Sequence, residues 1–557
     1  MHPRSLIRAA LLAVAGSAAV AGAAEPPPIR FEEVAAASGL AFRFDDGSRG
    51  RHDLPQIMGG GVALIDLDGD GRLDLYLCNG GPIDAKGGRP DPPCRFYRNE
   101  GGWRFADVTD RAEAPGPSYA MGAAVGDYDG DGRDDLLVTG WRDQRLYRNL
   151  GGGRFEDATD RAGVGSKLWG TSAAFADLDG DGDLDLFVAN YLDYDPAVAP
   201  ACLAPDGKAD YCGPEEFPAQ GPRLYRNNGD GTFADVSRAA GVDRPDGRGL
   251  GVLVADLAGD ARPDVYVAND GTACRLFENR GGLRFAEVGL EAGVALDGRG
   301  EALAGMGVAL GDVDGDGRPD LAASNFAGRG TVGFRLGEGG TYDDASEAFG
   351  LAAATRPVLG FGVALVDFDS DGRLDLLQAN GHVLDRGRLG VPFAMRPTLL
   401  RNRGGRLVDA SGGAGPWFAR AILGRGLAVG DLDSDGRVDA VVAALDGPLA
   451  LLRNVTEGGN SLTVELVAEG RAGRSAVGAK LRATVGGRTL VRQVVGGGSY
   501  LASSDRRVHL GLGDAKQVDR LEVAWPSGRA EAWRDLSAAR GVRLEEGRAP
   551  RSTGVGR

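Results

Sequence analysis

A nine-residue acidic motif recurs along the chain and limits what the chain can fold into. The first copy is DLDGDGRLD, residues 66–74, and successive copies start between 50 and 79 residues apart. Repeats of this length are typical of solenoids and propellers, in which each unit buries its apolar surface against its neighbours. The other six copies begin at Asp127, Asp177, Asp256, Asp312, Asp367 and Asp431.

Each motif belongs to a longer unit of four short segments. An apolar run such as GVALVDFD leads into the motif, and a second run such as LDLFVAN follows it. A third segment such as RLYRNLG and a fourth such as RFEDATD complete most units. Four β-type segments separated by Gly and Asn turns are typical of a propeller blade, and the 92 glycines of the chain suit many tight turns. We therefore predict an all-β fold.

The two ends of the repeat region indicate a closed ring. Residues 29–40, IRFEEVAAASGL, look like a fourth segment although no motif precedes them. The seventh unit stops after its third segment, LALLRNV. We predict that the N-terminal strand completes the last blade, which would remove a free sheet edge. Seven blades would then form a propeller over residues 29–454; an open solenoid array is the alternative.

The spacing of the aspartates predicts calcium loops. Carboxylates at positions 1, 3, 5 and 9 and a backbone carbonyl at position 7 form an oxygen cage of the kind that calcium prefers. An EF-hand would need a Glu at position 12 and flanking helices, and neither is present in the sequence pattern. Six intact loops predict about six ions. The predicted ligands are Asp66, Asp68, Asp70, Arg72, Asp74, Asp127, Asp129, Asp131, Arg133, Asp135, Asp177, Asp179, Asp181, Asp183, Asp185, Asp312, Asp314, Asp316, Arg318, Asp320, Asp367, Asp369, Asp371, Arg373, Asp375, Asp431, Asp433, Asp435, Arg437 and Asp439.

The fourth copy, DLAGDARPD, departs from this pattern. Ala258 replaces the second carboxylate and Ala261 replaces a turn glycine. Its remaining aspartates, Asp256, Asp260 and Asp264, are expected to bind metal weakly or not at all. In the intact loops, four like charges lie within a few ångströms and should destabilise the metal-free form. We therefore expect calcium to be a structural part of each intact blade.

The stretch FGVALVDFDSDGRLD, which starts at Phe361, resembles the FG-GAP or VCBS repeat of the integrin α-chain propeller. YCGPEEFPAQGPRLYRNNGDGTFADVS and ANGHV are similar to bacterial relatives of the cartilage acidic protein family. Residues 455–548 read as strands without an acidic loop, and GGGSYLASSDRRVHLGLG within them resembles the ASPIC/UnbV domain that follows such propellers. The resemblance implies an integrin α-like calcium propeller followed by a small all-β domain. Residues 549–557 are expected to form a disordered tail.

The N-terminus favours export. Residues 1–23 have the basic start, apolar stretch and small residues of a cleaved signal peptide, for which an uncleaved membrane anchor is the alternative. No later segment of the sequence is apolar enough to span a bilayer. We expect a secreted or periplasmic protein. The net charge of −16 disfavours nucleic acid as a partner.

Export permits disulfides. The chain has five cysteines. Cys202 and Cys212 flank a loop without obvious structure and form the favoured bridge, and Cys78 with Cys94 is the next pair. Cys274 is left over, either buried or free.

Two classes of function fit the sequence. The favoured one is adhesion, or recognition of an extracellular protein or glycan, because propeller loops present contact residues on a rigid ring. The alternative is a polysaccharide lyase or hydrolase that uses the central funnel. The sequence has no G-x-S-x-G and no H-E-x-x-H, and His382 in ANGHV is the one histidine we single out. We assign no catalytic residue and regard an enzyme as the less favoured class.

Overall fold

The repeat units form four-stranded sheets. The computed structural model describes residues 27–48, 50–83, 92–387, 390–469, 476–538 and 541–553. Residues 31–454 contain seven antiparallel sheets with one shared strand order, here called sheets 1 to 7. In each sheet the first strand runs into an acidic motif, and the second strand begins at the ninth residue of that motif. The arrangement is consistent with propeller blades.

The strands of these sheets have the following bounds. Sheet 1 contains Val62–Ile65, Asp74–Leu77, Arg95–Asn99 and Phe105–Asp107; sheet 2 contains Ala120–Gly126, Asp135–Gly140, Arg145–Gly151 and Arg154–Asp157; sheet 3 contains Gly170–Ala176, Asp185–Asn190, Arg223–Asn227 and Phe233–Asp235; sheet 4 contains Gly249–Ala255, Asp264–Asn269, Arg275–Asn279 and Phe285–Glu287. Sheet 5 contains Val308–Gly311, Asp320–Ala323, Val332–Leu336 and Tyr342–Asp344; sheet 6 contains Gly360–Val366, Asp375–Asn380, Thr398–Asn402 and Leu407–Asp409; sheet 7 contains Gly424–Gly430, Asp439–Ala444, Ala450–Asn454 and Phe31–Glu33.

The N-terminal strand completes the last sheet of the repeat region. Phe31–Glu33 pairs antiparallel with the third strand of sheet 7, with Phe31 opposite Asn454 and Glu33 opposite Leu452. The outermost strand of sheet 7 therefore comes from the opposite end of the repeat region. The predicted pairing of the two ends is confirmed.

The first strands of neighbouring sheets approach so closely that glycine is required between them. A Cβ added to Gly61 would lie 2.2 Å from the carbonyl oxygen of Met121 in sheet 2, and one at Gly426 would lie 2.2 Å from that of Gly60. Six of the seven motifs have glycine at this place, five residues before the first aspartate, because any side chain would meet the next backbone. Each first strand lies against the next in chain order, and that of sheet 7 lies against that of sheet 1.

The C-terminal region forms two further sheets. Sheet 8 contains, in spatial order, Val508–Gly513, Asn460–Val467, Gly541–Glu545 and Arg551–Thr553; sheet 9 contains Arg488–Gln493, Lys480–Val485, Gln517–Ala524 and Ala530–Ser537. The alternating burial along Lys480–Val485 places Leu481 and Ala483 in an apolar core shared with sheet 8. The tail after residue 548 was expected to be disordered, but Arg551–Thr553 pairs with Gly541–Glu545; residues 554–557 lie outside the described residues.

Residues 496–505 leave the C-terminal region and run between the first strands of the repeat sheets; we call them the central segment. Gly496–Gly497 pairs with the first strand of sheet 4, and Ala502–Ser503 pairs with that of sheet 1. Ser499 exchanges two backbone hydrogen bonds with Val308 of sheet 5, at 2.6 and 3.0 Å. The chain that follows the repeats thus returns into their middle.

The other four sheets contact the central segment as well. The Leu501 amide donates to Ser172 Oγ of sheet 3 at 3.1 Å, and a Cβ on Gly122 of sheet 2 would lie 3.1 Å from the Leu501 Cα. The Tyr500 ring lies 4.9 Å from the Phe361 ring of sheet 6. The Asp505 amide donates to the Val429 carbonyl of sheet 7 at 3.0 Å. All seven sheets therefore contact one ten-residue stretch.

Helices are short connections in this structure. The helical turns are Thr109–Ala112, Thr159–Ala162, Ser237–Ala240 and Leu351–Thr355, with 3₁₀ turns at Leu54–Ile57, Pro214–Glu216, Ser411–Gly413 and Pro416–Ala419. Among the described residues, none of these helices has the length and apolarity that a membrane crossing needs. The predicted signal peptide, residues 1–23, lies outside the described residues.

One of the two expected disulfides is present. Cys202 and Cys212 are bonded, with their Cα atoms 5.2 Å apart, and they close a hairpin of Cys202–Leu203 and Ala209–Asp210. Cys78 and Cys94 are both free, so the second expected bridge is not formed. Both are buried, their thiols are hydrogen-bonded to each other, and Cys94 Sγ accepts a further hydrogen bond from the Asn79 amide at 3.3 Å. Cys274 is free and buried.

Candidate metal-binding loops

The aspartates of the acidic motifs converge as the sequence predicts. The described residues contain six groups of acidic side chains whose carboxylate oxygens lie within 4.8 Å of one another. Five of these groups are Asp66, Asp68 and Asp70; Asp127, Asp129 and Asp135; Asp177, Asp179 and Asp185; Asp312, Asp314 and Asp316; and Asp367, Asp369 and Asp371. Carboxylate oxygens brought together at this distance suit a calcium ion.

The carboxylate of the first aspartate in each motif accepts hydrogen bonds from backbone amides of the loop that follows it. In the first loop, Asp66 Oδ1 accepts the amides of Gly69 and Asp70 at 2.8 and 3.1 Å, and Oδ2 accepts that of Gly71 at 2.9 Å. The two glycines have φ of +79° and +85°, which favours glycine. The loop is therefore wound tightly enough to bring positions 1, 3 and 5 together.

The aspartate at position 3 of the motif has a buried carboxylate oxygen that a metal ion could coordinate. Asp68 Oδ1 in the first loop and Asp433 Oδ1 in the seventh are buried and have no hydrogen-bond partner among the described residues. A buried carboxylate oxygen without a partner is costly. A calcium ion bound there would satisfy both oxygens, so the donor set fits the metal that the spacing predicts.

The ninth aspartate is the most deeply buried member of each loop. Burial raises the pKa of Asp74 to about 8, that of Asp135 to about 9 and that of Asp320 to about 7, while backbone hydrogen bonds oppose the rise. For Asp74 these bonds come from the Asn99 amide at 2.6 Å and the Leu67 amide at 2.9 Å. A nearby cation would stabilise the charged carboxylates that burial disfavours.

In six of the seven sheets, an asparagine near the end of the third strand links the acidic loop to the preceding sheet. Asn149 Nδ2 donates to the carbonyl of Asp134 in its own loop at 3.0 Å and to that of Leu67 in the loop of sheet 1 at 3.2 Å. Asn99 does the same across the two ends of the repeat region, since it donates to the Leu432 carbonyl of sheet 7 at 2.8 Å. The same pair of bonds is made by Asn227, Asn279, Asn402 and Asn454.

This asparagine was not among the residues predicted from the sequence, although the RN or EN dipeptide recurs in six units. In sheet 5 the same place is taken by Leu336, whose amide still donates to Asp320 but whose side chain offers no such bond. The arginine at position 7 adds a further tie, because Arg72 Nε donates to the Asn99 carbonyl at 2.9 Å and its guanidinium pairs with Asp70.

The fourth loop has a lysine beside it. Lys480 of sheet 9 places Nζ 2.6 Å from Asp256 Oδ2, and the Asp256 side chain is only 2% exposed. Ala261 holds a φ of +70°, a strained conformation for a residue with a Cβ. The loop that lacks a carboxylate thus has an ammonium group next to its first aspartate, and its weak metal binding stays a prediction.

The C-terminal domain rests on the acidic loops of sheets 6 and 7. Arg488 and Arg492 donate to the carbonyls of Asp371 and Gly372 at 2.9 and 3.2 Å. Ser461 Oγ donates to the Gly436 carbonyl at 2.7 Å. These contacts use the backbone of the two loops and not their carboxylates.

His382, the histidine singled out in the sequence, supports the fold. It is 4% exposed, and its Nδ1 accepts the Leu384 amide at 3.0 Å. Its ring centre lies 5.2 Å from the ring centre of Phe326 in an edge-to-face arrangement, and burial lowers the pKa of His382. These contacts occupy one ring nitrogen and one ring face, as in a structural histidine.

Comparison with known families agrees with the repeats and the C-terminal sheets. The model of the FG-GAP-like repeat matches residues 66–138, 128–188, 205–267, 256–323 and 312–377. The model described as ASPIC and UnbV matches residues 469–551. The chain belongs to the FG-GAP-like repeat family and ends in an ASPIC/UnbV domain.

Among curated proteins, the chain is similar to cartilage acidic protein 1. It is 29% identical to the human protein over 304 residues, which are 53% of this chain and 43% of the relative. It is 28% identical to the Mus musculus protein, again over 304 residues, which are 44% of that relative. The chain therefore spans less than half the length of these relatives, and the homology is distant.

Two solved structures are similar over most of this chain. One is a lectin of Agrocybe aegerita that recognises non-reducing terminal N-acetylglucosamine, with 18% identity, a TM-score of 0.37 and coverage of 70% of this chain and 86% of the lectin. The other is YCF48 bound to D1 peptide, with 10% identity, a TM-score of 0.41 and coverage of 79% and 100%. At these TM-scores neither structure bears on the function of this chain.

Proposed function

We propose that this protein is an exported, calcium-stabilised seven-bladed propeller that binds an extracellular protein or glycan in adhesion or recognition. The proposal includes residence in the periplasm or outside the cell, with no nucleic acid as a partner. Calcium holds the blades in shape, and a surface loop makes the contact.

The closed series of contacts supports seven blades. Seven sheets share one strand order, their first strands lie against one another in chain order, and the last lies against the first. Asn99 and the N-terminal strand bind sheet 7 from the opposite end of the repeat region. An open solenoid would leave both of these contacts unmade.

The carboxylate clusters support calcium as a structural ion. Their ligands lie in loops that also carry the asparagine bonds between neighbouring sheets, so an ion that orders a loop also orders a sheet-to-sheet contact. Six intact loops correspond to about six ions per chain. Each ion would offset the repulsion between carboxylates that burial has already made costly.

The observation that carries the binding function is an exposed, disulfide-braced insertion in sheet 3. Residues 191–222 connect its second and third strands and contain the Cys202–Cys212 bridge. Val198 and Leu203 on this insertion are 80% and 66% exposed. Large apolar side chains held in solvent on a braced loop are typical of contact surfaces.

The central funnel, where the alternative function as a lyase or hydrolase would need its active site, is occupied by the chain itself. The central segment lies between the first strands of all seven sheets, where the funnel of a propeller would be. Tyr500 and Leu501 are completely buried there. Together with the structural contacts of His382, this favours a binding module over a lyase or hydrolase that acts in the funnel.

The test uses the mature chain, from residue 24 onwards, immobilised in calcium. A glycan array and an envelope and extracellular extract are applied to the wild type, to Val198→Ser/Leu203→Ser and to Leu290→Ser. Leu290 is 68% exposed elsewhere on the molecule and is the matched control. We expect a partner that the control retains and the double variant loses. Equal binding by all three proteins would place the contact elsewhere, and an absence of any specific partner would contradict the proposed function.

A further inference from the structure

A cleft separates the C-terminal domain from the repeat sheets. Its volume is about 870 Å³, and it lies between sheet 9 and the loop-side ends of the first strands of sheets 4 to 7. Lys480 pairs with Gln493 and Arg482 pairs with Val491 across sheet 9, so these four side chains share one face. All four line the cleft. Leu481 and Arg492, a pair on the other face of the sheet, also reach the lining, while Ala483 and Leu490 of that face pack in the core of the C-terminal domain.

The floor of the cleft is apolar. Leu310, Leu365, Val429 and Val495 line it and are only partly buried, although each packs against a buried apolar cluster. Apolar surface left open to water is unfavourable. A ligand with an apolar body would remove this cost.

Polar side-chain atoms without partners lie in the same cleft. Both amide atoms of Gln493 and Nε of Arg492 are buried and have no hydrogen-bond partner among the described residues. The other Arg492 nitrogens donate only to backbone, to the carbonyls of Val491 and Gly372. One amide and one guanidinium N–H are therefore available to a polar group that enters the cleft.

The charge of the lining favours an anion. Seven arginine and lysine side chains and six carboxylates line the cleft. Two of the carboxylates, Asp312 and Asp367, are first aspartates of calcium loops, and bound calcium would neutralise them. Five of the seven cations are already held by ion pairs: Arg318 with Asp316, Lys480 with Asp256, Arg506 with Asp134, Arg507 with Asp505 and Arg520 with Glu522. Among the described residues, Arg482 and Arg492 are the lining cations without such an ion pair.

We propose that this cleft binds an amphipathic anion, a small molecule with an apolar body and a single acidic group. The body lies on Leu310, Leu365 and Val429, and the acidic group lies against Arg482. The Gln493 amide pairs with a further polar atom of the ligand. The volume falls in the range of about 300–1,000 Å³ that is usual for small-molecule sites, which are mostly apolar with a few placed polar groups.

The experiment uses two probes that differ only in the acidic group. Anilinonaphthalene sulfonate and its neutral analogue phenylnaphthylamine are titrated into the mature, calcium-loaded protein, with fluorescence and calorimetry as readouts. We expect one saturable site that binds the sulfonate about tenfold more tightly than the neutral probe. Equal affinities, or no saturable binding, would overturn the proposal.

Variants then locate the site. Arg482→Ala should weaken sulfonate binding about tenfold and leave the neutral probe unchanged, whereas Gln493→Trp should fill the cleft and weaken both. Arg529→Ala is the matched control, because Arg529 is an exposed arginine of the same domain that pairs with Glu469 and is not itself part of the cleft lining. Calcium content and melting temperature verify that each variant is folded. If Arg482→Ala and Arg529→Ala bind the sulfonate alike, the site is not this cleft.

Discussion

Arg425 is a completely buried cation that is held mainly by backbone. It is 0% exposed, and burial lowers its pKa to about 10. Its guanidinium lies 4.0 Å from the centre of the Phe361 ring. The carbonyl oxygens that accept from it belong to Ile57, Gly381, Gly424 and His382. One side chain thus satisfies backbone from three separate segments of the chain.

Truncation of this side chain should leave those carbonyls buried without a donor. We expect Arg425→Ala to lower the free energy of unfolding by about 3 kcal/mol, measured by urea denaturation in calcium. Arg420→Ala, at an exposed arginine nearby in sequence, is the control and should change little. Equal stability of the two variants would show that water or a shifted loop replaces the guanidinium.

The asparagine that links neighbouring sheets gives a second prediction. Asn149→Ala removes three hydrogen bonds: those that Nδ2 donates to the carbonyls of Leu67 in sheet 1 and Asp134, and the one that Oδ1 accepts from the Gly151 amide. We expect a loss of about 2 kcal/mol in the free energy of unfolding. Asn228→Ala is the control, since Asn228 follows the equivalent asparagine of sheet 3 and is exposed. A loss of similar size in the control would mean that the link between sheets contributes nothing special.

These residues show what the sequence allowed us to predict. The acidic motif, its strands and the strand exchange between the chain ends follow from spacing and periodicity, which are local properties. The partners of Asn149, Arg425 and Lys480 lie far away in sequence, so no local pattern indicates them. For Cys78 and Cys94 the sequence was misleading in another way: their proximity in the chain suggested a disulfide, and the structure has both cysteines free.

The fourth acidic loop has a lysine beside its first aspartate and lacks one carboxylate, whereas the other six loops have all four carboxylates. The expected number of bound ions follows from this difference. We predict about six calcium ions per chain by elemental analysis of the mature protein, with the fourth loop empty because Lys480 lies beside Asp256. Ala258→Asp combined with Lys480→Met restores the missing carboxylate and removes the ammonium, so the count should rise by one. Ala258→Asp with Lys516→Met, at an exposed lysine of the same domain, is the control and should not reach that count.

The ninth aspartates predict how stability depends on pH without metal. Their pKa values are raised in the folded protein, to about 8 for Asp74 and about 9 for Asp135, against about 4 when unfolded. Above the unfolded pKa and below the folded pKa, the folded state binds more protons than the unfolded state. The free energy of unfolding therefore falls as pH rises through this range. In excess chelator we expect the melting temperature to fall from pH 5 to pH 9.

Calcium should reverse that trend, because it binds the charged carboxylates and must displace their protons at lower pH. The same melts in excess calcium should therefore rise, or stay level, from pH 5 to pH 9, and at pH 8 they should lie well above those in chelator. Melting temperatures that follow one curve in both buffers would contradict a structural role for the ion.

The central segment makes the repeat sheets and the C-terminal domain one mechanical unit. It continues directly into Val508–Gly513 of sheet 8, and it contacts the first strand of every repeat sheet. Tyr500 Oη donates to the Met58 carbonyl at 2.6 Å, and its ring packs on Phe361. Neither the repeats nor the C-terminal sheets can move without disturbing these contacts.

This arrangement predicts cooperative unfolding of the whole molecule. In calcium, the wild type should unfold in a single calorimetric transition, because loss of either part exposes the buried Tyr500 and Leu501. Tyr500→Ala/Leu501→Gly removes both side chains from the middle of the sheets, at a cost of about 3–5 kcal/mol for the large aromatic alone. We expect this variant to unfold in two transitions, the C-terminal domain first, while Tyr500→Phe loses one hydrogen bond and keeps the single transition. If the double variant still unfolds in one step, the loop contacts of Arg488, Arg492 and Ser461 are sufficient to couple the two parts, and the central segment is a filler of the ring rather than its link to the C-terminal domain.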